Sequence, residues 1–350
     1  MSNYGTEILK LESLYEGRRA FYGDLHNHSN SGGTSDGKCT MQVWREAMRE
    51  LGMDFASILD HRQVRHMYQP EWEDGVFIGG TEPGTFISDS KASVNEMHYN
   101  MLFENAEPLE TLLEKFTEYK FEGGVEGHFV YPDFTTDRMG QLISFIKEKG
   151  GFFVYPHPKQ LMQSDAPCDY WFADETGIEV FYGDMRNEHT ENNYKLWCDL
   201  LEKGKRVWAC AGEDGHAYPT VNALTTIYAE EKTNKSYLSH LRQGDFICGS
   251  VGIRMCIGDT LMGGKCDFDG KKLVVSAGDF HKSVVHENHS YKLVILNDKG
   301  TVAVENIEPG KNNFFVYETE ECRFYRAEVF DETEMLRIAI GNPIWNIKNA

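Results

Sequence analysis

Short apolar segments that end abruptly in polar residues recur along the first 216 residues. Residues 55–61, 151–157 and 206–216 are three examples, each an apolar run that leads to a histidine. Runs of four to eight apolar residues bounded by turn residues are typical of buried parallel strands. Helical periodicity lies between these runs, so the sequence predicts alternating strands and helices, as in a β/α layered fold or barrel.

The segments between the predicted strands have the properties of amphipathic helices. After Thr40, a suitable N-cap residue, apolar side chains recur at helical spacing until Gly52, a residue type that commonly ends helices. Similar periodicity predicts helices over residues 109–120, after a cap at Asp137, and from Thr190 onward.

The alternation ends near residue 250, and the rest of the sequence is strand-like and rich in turns, as in residues 291–296 and 324–330. We therefore predict three parts. An N-terminal extension over residues 1–20 runs along the surface, a β/α domain covers residues 21–250, and a small all-β domain with a sandwich topology covers residues 251–350.

Two histidines separated by one residue, His26 and His28, lie at the end of the first predicted strand. Alternate residues of a strand point to the same face, and neutral imidazoles are common ligands of transition metal ions. In a β/α barrel the carboxyl ends of the strands lie at one rim. That rule brings together the polar residues that end the predicted strands, namely His26, His28, His61, Glu82, His157, Asp214 and His216.

The charge and the cysteines limit the partners and the location of the protein. The formal net charge is −20, and neutralising nucleic acid phosphates needs an excess of lysine and arginine, so we expect a small-molecule substrate and no nucleic acid partner. The eight cysteines show no C-x-x-C spacing, which indicates reduced thiols in a cytoplasmic protein. With no evident signal peptide or membrane-spanning run, we expect a soluble protein without a membrane partner.

Several spaced motifs in this order resemble those of the polymerase and histidinol phosphatase (PHP) superfamily of metal-dependent hydrolases. The resemblance covers residues 20–250 and rests on Asp24–Ser29, Ser35–Gly37, Ile58–His61, Gly80–Glu82, Tyr155–Pro158, Gly177–Val180 and Gly212–His216. It implies a distorted (β/α)7 barrel ahead of the β domain, and a hydrolase activity that depends on metal ions.

The metal ligands of the family fall on nine residues of this sequence: His26, His28, Asp36, His61, Glu82, His98, His157, Asp214 and His216. The resemblance also implies that Glu82 bridges ions and that Glu82, Asp214 and His216 are catalytic. Nine nitrogen and oxygen ligands are too many for one ion and suit two or three. Without cysteine among them they favour Mn, Fe, Zn or Mg. Such ions lower the pKa of a bound water toward about 7.

Asp24 and Asp60 lie next to candidate ligands, and two interpretations of them stay open. Each carboxylate could orient a neighbouring imidazole through a hydrogen bond. Each could equally be an ordinary polar residue at a turn or strand end.

A phosphate substrate also needs cationic contacts. Arg62, Lys159 and Arg186 each follow a predicted strand end closely, so we predict that they bind substrate oxygens at the rim. The alternative is that all three are solvated surface charges.

The predicted function is hydrolysis of a small phosphorylated metabolite or nucleotide. Alternatively, the same metal centre hydrolyses a carboxylic ester, carbamate or amide. Residues 339–345 resemble the end of a bacterial subgroup with such members, and the aromatic stretch 129–134 could line an apolar pocket. A metal-binding module without turnover is a third possibility, which the full set of ligands disfavours.

Overall fold

The computed structural model describes residues 4–89, 97–119, 132–158 and 171–348. It has the predicted mixed α/β architecture, in which strands and helices alternate through the first 250 residues and antiparallel strands follow. In the described part of the chain, no helix is long and apolar enough to cross a membrane.

The first part of the chain contributes the elements that position the candidate site. In order they are α1 (Tyr4–Leu14), β1 (Arg19–Asn27), α2 (Met41–Leu51), β2 (Phe55–Ile58), β3 (Phe77–Thr81), β4 (Gly84–Ile87), β5 (Met97–His98), β6 (Asn100–Phe103), α3 (Glu107–Lys115), β7 (Asp133–Phe134), α4 (Thr136–Glu148), β8 (Phe152–Tyr155), β9 (Thr176–Tyr182), α5 (Glu188–Glu202), β10 (Val207–Gly212), β11 (Thr225–Ala229), α6 (Asn234–Gln243) and β12 (Ile247–Gly249).

The C-terminal part is built from strands. They are β13 (Val251–Ile257), β14 (Thr260–Leu261), β15 (Lys265–Cys266), β16 (Lys272–Phe280), β17 (Tyr291–Asn297), β18 (Gly300–Ile307), β19 (Asn313–Glu318), β20 (Phe324–Asp331), β21 (Leu336–Gly341) and β22 (Ile344–Asn346).

Seven strands of the main sheet, in the order β10-β9-β8-β6-β3-β2-β1, surround the candidate site. The two ends of this series meet, because Asn27 at the end of β1 forms a parallel bridge with Gly215 just after β10. Two main-chain hydrogen bonds support the bridge: His28 N–H donates to the Gly215 carbonyl over 2.9 Å, and Gly215 N–H donates to the His26 carbonyl over 3.2 Å. The carboxyl ends of β1 and β10 are thereby held side by side.

One of the seven strands is reversed. Strand β6 pairs antiparallel with both β3 and β8, whereas the neighbouring pairs β1–β2, β2–β3, β8–β9 and β9–β10 are parallel. The residue at the start of β6 therefore lies at the same end of the sheet as the residues that follow the parallel strands. His98, which precedes β6 by two positions, reaches the rim for this reason.

The helix ends follow local sequence signals. Thr40 Oγ1 accepts a hydrogen bond from the first turn of α2, and Gly52, with a φ of 85°, donates its N–H to the Met48 carbonyl, as predicted for these caps. Helices α4 and α5 begin about two residues earlier than predicted, because Thr135 and Asn187 are the N-cap residues.

The predicted N-terminal extension contains a helix that the sequence analysis did not predict. Residues 4–14 form helix α1, which packs against β13, β16 and β19. Leu11 and Tyr15 are buried in this contact. Ile8, Leu11 and Tyr15 are three and four residues apart, a helical spacing that the sequence already contained.

The main sheet continues into the C-terminal part. Strand β12 pairs with both β11 and β21, and the sheet then runs through β20, β17 and β18. A second sheet has the order β14-β13-β16-β19, and apolar side chains of both sheets, such as Val275 and Leu293, belong to one buried cluster. Residue 250, the predicted domain boundary, lies where the chain passes from the first sheet to the second.

A buried ion-pair network joins the C-terminal strands to helix α5. Glu328 of β20, only 1% exposed, accepts hydrogen bonds from Arg326, from Arg337 Nε at 2.8 Å and from the Tyr194 hydroxyl at 2.7 Å. The Arg337 guanidinium also lies 3.5 Å from the centre of the Tyr194 ring. Because a buried carboxylate is costly unless it is paired, these contacts hold β20 and β21 against α5.

We expect Glu328→Gln to lower the free energy of unfolding by about 3–5 kcal/mol, the usual cost of removing one partner from a buried ion pair. Arg326 would then lose its carboxylate partner, and Arg337 would retain the half-exposed Glu191 at 3.4 Å. Urea unfolding measures the change, and Glu308→Gln, which breaks only an exposed pair with Lys311, is the control. A loss no larger than that of the control would contradict the role of the network.

Candidate metal centre

The structure brings together all nine residues predicted as metal ligands. They form three groups, and within each group one donor atom per residue lies within 4.8 Å of the others. The first group is His28, Asp36, His61 and His216, the second is His26, His28, Glu82 and Asp214, and the third is Glu82, His98 and His157. His28 and Glu82 each belong to two groups, so the groups are adjacent.

Strand ends position most of these side chains. His26 lies within β1 and His28 just after it, while Glu82 follows β3 directly. His157 lies two residues beyond β8, and Asp214 lies two residues beyond β10. The rule that parallel strands carry functional residues at their carboxyl ends therefore accounts for this rim.

Glu82 is buried at the centre of the cluster, with a separate set of imidazoles at each carboxylate oxygen. Its Oε1 lies 2.9 Å from His98 Nδ1 and 3.1 Å from His157 Nε2. Its Oε2 lies near three further nitrogens: His28 Nε2 at 3.2 Å, His26 Nε2 at 3.3 Å and His61 Nδ1 at 3.4 Å. One carboxylate thus faces five imidazoles from two sides.

Two more carboxylates complete the groups. Asp214 Oδ1 lies near three imidazole nitrogens: His28 Nε2 at 3.1 Å, His26 Nε2 at 3.3 Å and His216 Nδ1 at 3.5 Å. Asp36 Oδ1 lies 3.1 Å from His216 Nε2 and 3.5 Å from His61 Nε2. His216 therefore stands between Asp214 and Asp36, with one ring nitrogen toward each.

The carboxylates favour positive charge within the cluster of candidate ligands. Burial lowers the pKa of His28, but the hydrogen bonds to Asp214 and Glu82 outweigh it and raise that pKa to about 9. Burial likewise opposes ionisation of Glu82, yet the facing imidazoles hold the pKa of its carboxyl well below the usual range. The same potential that favours protons on the imidazoles would favour metal cations.

The donor atoms fit divalent metal ions. His26 Nε2 is buried, has no hydrogen-bond partner among the described residues, and lies 3.3 Å from both a Glu82 and an Asp214 oxygen. Two ligands of one ion at about 2.1 Å lie about 3.0–3.4 Å apart, so these spacings suit ligands that share an ion. Imidazole and carboxylate donors without thiolate match the predicted Mn, Fe, Zn or Mg.

Glu179 was not predicted to be a site residue, yet it orients one of the histidines. This residue of β9 is 1% exposed, and its Oε1 lies 3.1 Å from His26 Nδ1. Its Oε2 accepts the main-chain N–H of His157 over 2.7 Å. A carboxylate behind a ligand histidine fixes the ring and leaves the other nitrogen for the metal. A lone acid within the apolar run 178–181 was the signal in the sequence.

The carboxylates of Asp24 and Asp60 accept hydrogen bonds from main-chain N–H groups and do not orient the rings of the candidate ligands. Asp24 Oδ1 accepts the N–H groups of His26, at 2.9 Å, and of Glu213, at 3.1 Å, and so ties β1 to the end of β10. Asp60 accepts the Ser29 N–H at 2.7 Å and its hydroxyl at 2.8 Å. Of the two interpretations of these acids, the structure favours a structural role at the strand ends.

One side of the cluster is buried and the other is exposed to solvent. The side chains of His26 and His28 are fully buried, and Glu82 and His157 are nearly so. By contrast, the side chain of His216 is 33% exposed and that of Asp36 is 57% exposed. The cluster thus has a buried floor and an open side through which water and a substrate can enter.

The three predicted substrate-binding cations have different surroundings. Arg186 is exposed, and its Nη2 lies 3.9 Å from Glu334 of the C-terminal part. Arg62 follows His61 directly and lines a small cavity whose other walls are mostly apolar, formed by Gln63, Val64, Thr81, Pro83, Met101, Leu109, Leu112 and Tyr119. Lys159 lies outside the described residues, as do residues 129–131 of the predicted aromatic wall, while Phe134 is buried in the core.

No protein-family model and no curated protein matches the chain. Among solved structures, a candidate metal-dependent phosphoesterase from Bifidobacterium adolescentis is 16% identical, with 57% of this chain and 89% of that chain covered and a TM-score of 0.35. The lesion-specific endonuclease Q of Pyrococcus furiosus is 13% identical, with 64% and 56% covered and a TM-score of 0.43. PsfC from Pseudomonas syringae is 10% identical, with 63% and 88% covered and a TM-score of 0.38.

A structure of endonuclease Q in complex with a 27-mer duplex that carries an abasic lesion is 13% identical, with 64% and 57% covered and a TM-score of 0.39. The expectation of no nucleic acid partner stays a prediction. Because all identities are at most 16% and all TM-scores are below 0.5, the function has to be argued from the side chains. The fold is mixed α/β. Its site is a cluster of histidines and carboxylates suited to divalent metal ions.

The loop that carries Asp36 is held close to the cluster. The Thr34 hydroxyl donates to the His61 carbonyl, and Lys38 N–H donates to the His216 carbonyl over 2.9 Å. Gly37 lies directly against the main chain of His28, because a Cβ at this position would lie 2.5 Å from the His28 carbonyl carbon. Only a residue without a side chain allows this approach.

We expect Gly37→Ala to displace Asp36 and to weaken binding of one metal ion about ten- to a hundredfold, the usual effect of disturbing the support of a metal ligand. Zinc affinity is measured by competition with a chromophoric chelator. Gly140→Ala is the matched control, since a Cβ there meets nothing within 4 Å. Equal zinc affinities for both variants would show that the close approach of Gly37 does not position Asp36.

Proposed function

We propose that this protein is a metal-dependent phosphoesterase that hydrolyses a small phosphorylated metabolite or nucleotide at a centre of three metal ions. The observation that carries the proposal is the sharing of His28 and Glu82 among three donor groups. Shared ligands imply ions a few ångströms apart, the arrangement that stabilises both the attacking and the leaving oxygen of a phosphoryl transfer.

Each donor group would hold one ion. Apart from the shared His28 and Glu82, each residue belongs to one group. The first group contains Asp36, His61 and His216, the second contains His26 and Asp214, and the third contains His98 and His157. Glu82 would bridge, because its two oxygens face different imidazoles. Bound divalent ions would supply Lewis acidity toward the phosphoryl oxygens and toward the attacking water.

The residues around these groups would support the reaction in distinct ways. Glu179 holds His26 Nδ1 and thereby fixes the direction of Nε2. The buried floor of His26, His28 and Glu82 excludes bulk water from one side of the centre. Asp214 and His216 stand nearer to the open side, where the substrate would enter, and this supports their proposed catalytic role.

The alternative function, which we call the runner-up, is hydrolysis of a carboxylic ester, carbamate or amide at the same centre. The cavity lined by Arg62, Pro83, Met101 and Leu109 favours it, because residues next to the candidate ligands His61 and Glu82 border an apolar space. A neutral substrate would meet apolar side chains at this border, whereas a phosphate needs cationic contacts.

Metal analysis tests the centre itself. Protein purified without chelator should contain two or three transition metal ions per chain, and Glu82→Ala should lose metal and activity while it still melts cooperatively. Glu148→Ala, at an exposed position of α4, is the control. Folded parent protein that binds no metal under any supplement, or full activity in Glu82→Ala, would overturn the proposal.

A substrate panel separates the two chemistries. Phosphate monoesters and diesters, a DNA duplex, and aryl esters are assayed with the parent protein and with the triple variant Arg62→Met, Lys159→Met, Arg186→Met. We expect the triple variant to lose a factor of ten or more in phosphate ester turnover, about 1.4 kcal/mol per tenfold, and to keep its aryl ester turnover.

The control for this panel is Lys195→Met, Lys203→Met, Lys235→Met, three exposed positions on or next to helices α5 and α6. It should leave both activities unchanged. A parent protein that cleaves only aryl esters would replace the leading proposal with the runner-up, and cleavage of the duplex alone would identify nucleic acid as the substrate.

A further inference from the structure

Tyr182 ends strand β9 at the rim of the candidate metal centre. Its hydroxyl donates to Asp214 Oδ2 over 3.2 Å. Its ring lies beside the imidazole of His157, with the ring centres 5.2 Å apart. A tyrosine hydroxyl is a hydrogen-bond donor that carries no charge at neutral pH, so this contact adds orientation without adding a cation.

The two oxygens of Asp214 have different surroundings. Oδ1 faces imidazole nitrogens of His26 and His28 at 3.3 and 3.1 Å. Oδ2 accepts the Tyr182 hydroxyl at 3.2 Å and lies farther, at 4.0 Å, from His157 Nε2. A carboxylate beside a cation can offer one oxygen or both, and the phenol occupies the second. A residue outside the nine thus contacts the Asp214 oxygen that lies farther from the imidazoles.

Asp214 has an unusual main-chain conformation that makes such support useful. Its φ is 54°, in the left-handed region that residues with a side chain rarely adopt. Its side chain is 17% exposed on the open side of the cluster. A second hydrogen bond from Tyr182 therefore restrains a side chain that burial alone does not fix.

Tyr182 is itself held by the start of helix α5. Its main-chain N–H donates to Thr190 Oγ1 over 3.0 Å, and the Thr190 hydroxyl lies 2.9 Å from the Asp184 carbonyl. Thr190 is buried, so these bonds are shielded from solvent. The phenol is thereby presented to Asp214 by a rigid turn between β9 and α5.

We propose that Tyr182 is a positioning residue that directs Asp214 to bind metal through Oδ1 alone. The inference rests on the proposed metal centre, because it concerns how one of its ligands is oriented. Tyr182 would act through Asp214 and would not contact the metal. Loss of its hydroxyl would let the carboxylate turn, which would weaken the ion held by the second donor group.

The test is Tyr182→Phe, which keeps the ring and removes only the hydroxyl. We expect the zinc affinity of one site, measured by competition with a chelator, to fall ten- to a hundredfold, while thermal melting of the metal-free protein stays unchanged. Tyr15→Phe is the matched control. It removes another tyrosine–aspartate hydrogen bond, of 3.3 Å to Asp245, away from the cluster, and should leave zinc affinity unchanged.

A double-mutant cycle with Asp214→Asn separates positioning from a general structural effect. If Tyr182 acts through Asp214, Tyr182→Phe should cause no further loss of zinc affinity in the Asp214→Asn background, because the two changes remove one shared interaction. Additive losses would overturn the inference, as would unchanged affinity in Tyr182→Phe. Parent protein that binds no zinc would overturn the metal centre together with this inference, whereas the other two outcomes leave the metal centre standing.

Discussion

The buried carboxylate of Glu82, with five imidazoles around it, is the interaction on which the rest of the site depends. A carboxylate with 1% exposure is costly unless positive charge or hydrogen bonds compensate for the lost water. The compensation comes from β1, from the segment after β2, from β5 and from the segment after β8. These imidazoles come from segments that are far apart in the sequence. A charged carboxylate at Glu82 therefore depends on the strands that bring those segments together.

The main chain provides that arrangement through contacts that do not themselves touch a substrate. The bridge between Asn27 and Gly215 joins the first and last strands of the series, and Asp24 strengthens the junction by accepting N–H groups from both sides of it. Glu179 reaches across from β9 to a His26 ring nitrogen and to the His157 main chain. The acids behind the cluster therefore set the spacing of the residues within it.

Patterns local to the sequence predicted helices α2, α3, α4 and α5 and most of the strands that alternate with them, but not helices α1 and α6. Helix α3 shows how weak such a signal can be, because its N-cap residue is Ala106, which forms no side-chain cap. The motifs also named the nine residues that the structure brings together. The strand-end rule alone would not have included His98, because it precedes a reversed strand, and strand direction is decided by pairing between distant segments. The contacts of Glu179 and Tyr182 were missed for a related reason. Both cross between strands, and spacing along the chain does not encode distance across a sheet.

The net charge of the chain is a poor guide to the charge of its substrate. Charges more than a Debye length away, about 8 Å at physiological ionic strength, are largely screened at the surface. Within the cluster the local balance differs, because three divalent ions would outweigh the carboxylates of Asp36, Glu82 and Asp214. An acidic protein with such a centre would present a positive site to an anion. The value of −20 therefore argues for repulsion of a long polyanion from the surrounding surface, and leaves a small phosphate ester free to approach the open side.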